Sequence, residues 1–248
     1  MRSRIPLVIA SIVAWAILLL GSRPSDILEI CSAATWSAFS LDRFSVAAAA
    51  GFPALLWEWV LMVVAMMAPM LGGPTAHVRA RSLPYRRLRA VAVFLIGYCL
   101  VWIVFGLPIA ATIVAIRTAF STPNVTVAIV LVIAFTWQCS PAKQLCLNGC
   151  HTQPPLVPNG VAADLSVFRF GVMQGIWCCG ACWAIMMISL AVQTEHIVAM
   201  AVLSVFLYAE RLNRPQEPIW TVRLPSAFFR LLRYRLAAGA SGAPHTYG

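Results

Sequence analysis

The sequence predicts an all-α fold, a polytopic membrane helix bundle of about six transmembrane helices with both termini cytoplasmic. Three observations carry that expectation. Of the 248 residues, 61% are hydrophobic and only 10% are charged. The mean hydropathy is +0.84. The basic residues gather in alternate loops. Soluble domains carry roughly a quarter of their residues as charges, so this chain falls outside that class. Its length suits one domain of apolar runs joined by short loops over residues 1–211, with a basic, partly disordered cytoplasmic tail over residues 212–248.

An excess of 18 Lys and Arg over 8 Asp and Glu would, in a soluble chain, raise nucleic acid as a partner. Retention of positive charge on the cytoplasmic side accounts for it here, and no basic groove interleaved with aromatics accompanies it. The lipid bilayer is the expected partner, the cell membrane the expected location, and nucleic acid is excluded.

The first apolar run, IPLVIASIVAWAILLLG over residues 5–21, follows Arg2 and Arg4. It reads as a span rather than a cleaved signal, because SRPSDILEI offers no small-residue cleavage site and the run is long for a signal core. The second run, Pro53 to Leu71, is followed by Gly-Gly-Pro and then by five arginines from Arg79 to Arg89. Further runs cover residues 90–116, 124–140, 168–192 and, more briefly, 196–210. With the N-terminus inside, 15 of the basic residues fall on inside segments, leaving Arg23, Arg43 and Arg117 outside beside Asp26, Glu29, Asp42 and Glu195. That bias places both ends in the cytoplasm, and an even number of spans follows. Beyond the last span, PSAFFRLLRYRLAA is expected to form a basic amphipathic helix on the membrane surface.

Sulfur and carboxylate residues recur at helical spacing. Glu58, Met62, Met66 and Met70 follow one another at four-residue steps, with Met67 alongside, so they form a stripe down one side of the second span. Thioethers suit a soft cation such as Cu(I), yet methionine is also common packing material. Glu58 is an ionisable group within a span, which is costly to keep there and so counts as a functional candidate. In the fifth span, GIWCCGACWAIMM sets Cys178, Cys182 and Met186 at the same spacing, with Cys179 adjacent. Two thiols one helical turn apart can converge on one metal ion, whereas a disulfide between them is geometrically awkward, and packing against Trp177 and Trp183 is the alternative.

Between the fourth and fifth spans, Cys139, Cys146, Cys150 and His151 lie within thirteen positions at the cytoplasmic boundary. Cys146 and Cys150 could take metal from a cytosolic donor if the helix continues past Pro141. Zinc-finger spacing is absent. Cys31 and Cys99 read as structural, and His77, His196 and His245 as solvated. Glu210 either closes a site or pairs with the adjacent Arg211. No phosphate loop, dinucleotide glycine pattern, nucleophile elbow or zinc-protease helix is present, so hydrolase and nucleotide-driven pump readings lose ground.

Taken together, WEWVLMVVAMMAPM, WQCSPAKQLCLNGC, GIWCCGACWAIMM and the closing Glu-Arg pair resemble the family of predicted metal-binding integral membrane proteins, a former domain of unknown function some of whose members are labelled copper chaperone. The resemblance covers residues 55–211 and implies metal handling. It sets Met62, Met66, Met67 and Pro69 on the family's methionine span, and Gln138, Pro141, Lys143, Cys146 and Cys150 on its loop motif. Cys178, Gly180, Cys182 and Trp183 fall on its cysteine span and Glu210 on its closing acid. Two departures stand out: Ala181 replaces the first of two adjacent cysteines before the tryptophan, and Trp137 stands where a tyrosine is usual.

The function expected from these readings is soft-metal binding within the membrane, with copper as Cu(I) held by Cys178, Cys182 and Met66 between the second and fifth spans. Cys146 and Cys150 would load it, and a membrane cuproenzyme or a metal donor protein would be the partner. Two other classes remain open, a thiol redox protein cycling one of the cysteine pairs and a structural subunit of a membrane complex whose sulfurs only pack.

Overall fold

The structure, a computed structural model, describes residues 5–21, 57, 59–119, 123–192, 196–222 and 233. All regular secondary structure among these residues is helical. The expectations for Glu58, Cys31 and His245 lie outside the described residues, as does the basic helix of residues 225–238 apart from Arg233.

Helix α1, Ile5–Gly21, is apolar on every side. It buries Ser11 and Ala14 and leaves Ile5, Ile9, Ile12 and Leu20 exposed. Ser11 Oγ donates to the Ala65 carbonyl at 2.7 Å, fixing α1 against the next helix. That next helix, α2, runs Trp59–Arg81 and tightens into a 3-10 turn at Ala68–Leu71. Pro69 causes the tightening, since it has no N–H for the helical ladder. The helix outlasts the expected end at Leu71. Pro74 stands in the first turn of the segment Gly72–Arg81, where a missing N–H leaves nothing unsatisfied, so Gly-Gly-Pro does not stop it.

Helix α3, Arg87–Ala119, follows a 3-10 turn at Pro84–Arg86. Helices α4, Pro123–Cys139, and α5, Pro141–Gly149, meet at a 67° bend. Sequence and geometry agree on the cause. The residue before a proline is pushed out of the helical region, and Ser140 accordingly takes φ −73°, ψ 147°. Its Oγ accepts from the Lys143 N–H at 3.2 Å, capping a new helix whose first residue is Pro141. The helix therefore does not continue past Pro141; it restarts in a new direction.

Helix α6, Gly160–Ala191, is the central post, packed by α3, α4, α5 and α7. It starts eight residues before the expected position 168 and opens on Gly160 at φ 74°, a conformation glycine adopts without strain. Small residues set how near its neighbours come. A methyl group on Gly171 would press on the Phe94 carbonyl oxygen, and one on Gly97 would sit 2.7 Å from the Phe168 carbonyl, so α3 and α6 touch backbone to backbone. Helix α7, His196–Arg211, closes the bundle.

By length and apolar composition, three stretches can cross a membrane: Trp59–Arg81, Pro84–Ile109 and Gly160–Ala191. Counting the bent α4–α5 pair as one span makes four. The core around α6 is rich in methionine and aromatic side chains, with Met67, Met186, Met187, Met200, Phe94, Tyr98 and Trp102 all essentially inaccessible.

Candidate metal centre

The site is built on the inward face of α6, where Cys178 and Cys182 lie one turn apart and are buried with Cys179. Three neighbouring helices reach Cys178. From α3, the hydroxyl of Tyr98 donates to Cys178 Sγ at 3.2 Å. From α2, the thioether sulfur of Met67 lies 3.9 Å from the same Sγ and accepts its S–H. From the end of α7, the Arg211 guanidinium faces the thiols of Cys178, Cys182 and Cys150.

Tyr98 is held in place by an aromatic column. Phe94, Tyr98 and Trp102 recur every four residues on α3, their ring centroids 6.5 Å apart at each step. Trp59 Nε1 donates to the Trp102 carbonyl at 2.9 Å and ties α2 to the same column. Locked in this way, the hydroxyl is presented to the thiol rather than free to swing.

The bend after α4 brings the loop cysteines to the same centre. Cys150 is buried at the end of α5 and its thiol faces Cys178 and Arg211. Its carbonyl accepts from Arg211 Nη2 at 3.1 Å. Half-buried Cys146 lies with its Sγ against Gly180, where any larger residue on α6 would push α5 away. Gly149 leaves matching room for the ring of Trp177. Cys146 and Cys150 therefore do not form a separate outer cluster, since Cys150 is continuous with Cys178 and Cys182.

Glu210 does not pair with Arg211. Both its oxygens receive the Lys143 ammonium at 2.6 Å, and Gln138 Nε2 donates to Oε1 as well. The Lys143 and Glu210 side chains are 4% and 5% exposed, so this is a fully desolvated pair locking the end of α7 to α5. The tail continues the same contact, because Gln216 exchanges hydrogen bonds with Asn148 and the Thr221 N–H donates to the Cys139 carbonyl.

Met62 Sδ lies 3.6 Å from Ser189 Oγ, toward the other end of α6, and Met66 is buried in the same core. Met67, beside the stripe, is the thioether that meets Cys178. His77 and His196, expected to be solvated, are each partly exposed and also hydrogen-bonded to a backbone carbonyl. His77 Nε2 donates to the Pro154 carbonyl at 2.9 Å, and His196 Nδ1 to the Ser189 carbonyl at 2.6 Å.

Sequence reasoning missed Tyr98 and the role of Arg211. A Phe-Tyr-Trp column at four-residue spacing was there to be read in the third run, but nothing local says which thiol it points at. Among the described residues, no three His, Cys, Asp or Glu side chains form a preformed metal cluster. The donors at hand are the thiols of Cys178, Cys182 and, from α5, Cys150, with the thioether of Met67, a soft set. With metal–sulfur bonds of about 2.3 Å, two sulfurs sharing a three-coordinate ion sit about 4 Å apart. The Cys178–Met67 separation of 3.9 Å fits that spacing.

No curated protein and no solved structure matches the chain. A family model described as PpoB2, copper chaperone, matches residues 56–229. The match takes in every helix from α2 to α7 and runs past Glu210 into the tail. It covers well over half of the chain, and the chain belongs to the PpoB2 copper chaperone family.

Proposed function

We propose that this protein is a multi-pass membrane protein that carries Cu(I) as cargo, holding it between α2 and α6 on Cys178, Cys182 and Met67. The observation that carries this reading is the approach of Met67 Sδ to Cys178 Sγ beside a second thiol. Soft, polarisable sulfur favours Cu(I) over the harder ions of the cell, and few other donors are within reach. Cys150 sits where cargo would pass between the cytoplasmic face and the buried thiols, with Cys146 as its outer neighbour. Met62 and Met66 line the core beyond, and Glu210 acts through Lys143 as a positioning group. The membrane domain comprises residues 1–211, crosses the bilayer six times with α1 and α7 as the shortest spans, and keeps both termini cytoplasmic. Exposed apolar side chains on α1, α3 and α4 support lipid as their solvent. Transfer to a membrane cuproenzyme requires only that a competing sulfur or nitrogen ligand reach the cargo.

The test is metal analysis of detergent-purified protein loaded with Cu(I) under reducing conditions, beside a Cys178→Ala/Cys182→Ala variant. We expect one tightly held copper per chain in the parent and none in the variant. Equal copper in both, or none in either, would sink the proposal.

A further inference from the structure

We infer that Arg211 makes the sulfur site selective for ions of charge +1 over ions of charge +2, by supplying the single positive charge that a monovalent bis-thiolate complex needs. This rests on the metal-carrying reading above and adds a determinant of which ion is carried.

Arg211 faces Cys150, Cys178 and Cys182 and is fixed by the Cys150 carbonyl. From α5, Lys143 acts on Cys182, but Glu210 from α7 accepts it through both oxygens and cancels it. From α3 the neighbour is the neutral hydroxyl of Tyr98, and from α2 the neutral thioether of Met67. Among the described residues, of the two cations that act on the thiols, Arg211 alone has no carboxylate against it. When a monovalent ion binds, two S–H bonds break, their protons leave to water, and two metal–sulfur bonds form without any change of oxidation state. The ion and its two thiolates together carry −1, and Arg211 brings the centre to neutrality. A divalent ion on the same thiolates is neutral and leaves the part-buried guanidinium uncompensated. A unit charge a few ångströms away at low dielectric changes a binding constant by about tenfold or more.

The experiment titrates the full-length protein in detergent with Ag(I), a redox-stable ion of the same charge and softness as Cu(I), and separately with Cd(II). Dialysis equilibrium is measured by metal analysis, and the thiolate-to-metal ultraviolet absorption confirms sulfur ligation. Arg211→Gln is expected to lower the ratio of Ag(I) to Cd(II) affinity about tenfold or more, with Arg211→Lys holding near the parent value. Glu210→Gln, which leaves Lys143 uncancelled and adds a positive charge, is expected to move the ratio the other way. That opposite sign separates charge from simple damage to the fold, and it keeps the test decisive if Arg211→Gln does not fold. An unchanged ratio in Arg211→Gln, or a shift in the same direction in Glu210→Gln, overturns the inference. Both results would leave the metal-carrying reading standing provided the parent binds Ag(I) through Cys178 and Cys182. Absence of Ag(I) from the parent removes both.

Discussion

Met67 and Met66 are adjacent in sequence and equally apolar, and among the described residues it is the Met67 sulfur that accepts from the Cys178 thiol. Replacing either with leucine conserves volume and should cost less than about 1.5 kcal/mol in stability. Met67→Leu is expected to weaken copper binding about tenfold or more while Met66→Leu changes it little, as competition against a colorimetric Cu(I) chelator would show. Equal losses in both would place the ligand elsewhere. The Lys143–Glu210 pair makes a second residue-level prediction. Lys143→Ala leaves a carboxylate buried without its cation, which costs about 3–5 kcal/mol, whereas Lys143→Met with Glu210→Leu removes both charges and should be far milder. Thermal unfolding in detergent separates the two; a double variant as unstable as the single one would show that the pair matters for more than charge neutralisation.

Elements carry their own tests. The close crossing of α3 and α6 depends on Gly97 and Gly171, whose missing side chains let backbone touch backbone. Gly171→Ala should destabilise the bundle by about 1–3 kcal/mol, because the obstacle is a carbonyl oxygen on a packed helix rather than a flexible side chain. Denaturant titration followed by tryptophan fluorescence measures it, and an unperturbed midpoint would contradict the packing described. At the bend between α4 and α5, Ser140→Ala removes the cap that holds the Lys143 N–H and should cost about 0.5–2 kcal/mol. Since that bend sets Cys150 beside Cys178, copper affinity is expected to fall with it. Stability lost without any loss of copper would detach the bend from the site.

For the whole molecule, α6 acts as a post on which the site elements converge, so the cysteine centre and the end of the bundle formed by α5 and the last turn of α7 form one structural unit. The proposed orientation predicts that alkaline phosphatase fused at either terminus is inactive while a fluorescent protein there is bright, and that the phosphatase inserted within residues 22–56 is active. An active C-terminal phosphatase would invert the topology and move Cys150 to the opposite side.

What the sequence by itself determined is what depends on local pattern. Apolar runs set where helices form, because a backbone buried among apolar side chains must satisfy its own hydrogen bonds, and the run 196–210 matches α7 within a residue. Ser140-Pro141 encoded the break between α4 and α5 through the conformation a proline imposes on its predecessor. Four-residue spacing placed Cys178 and Cys182 on one face of α6. The partners across helices were decided only by tertiary structure: Met67 rather than Met66 against Cys178, Lys143 rather than Arg211 on Glu210, and Tyr98 on the thiol. The reason is that periodicity fixes a residue's angle about its own helix, while the depth and crossing at which two helices meet depend on side-chain volumes along both, above all on the glycines that let them approach.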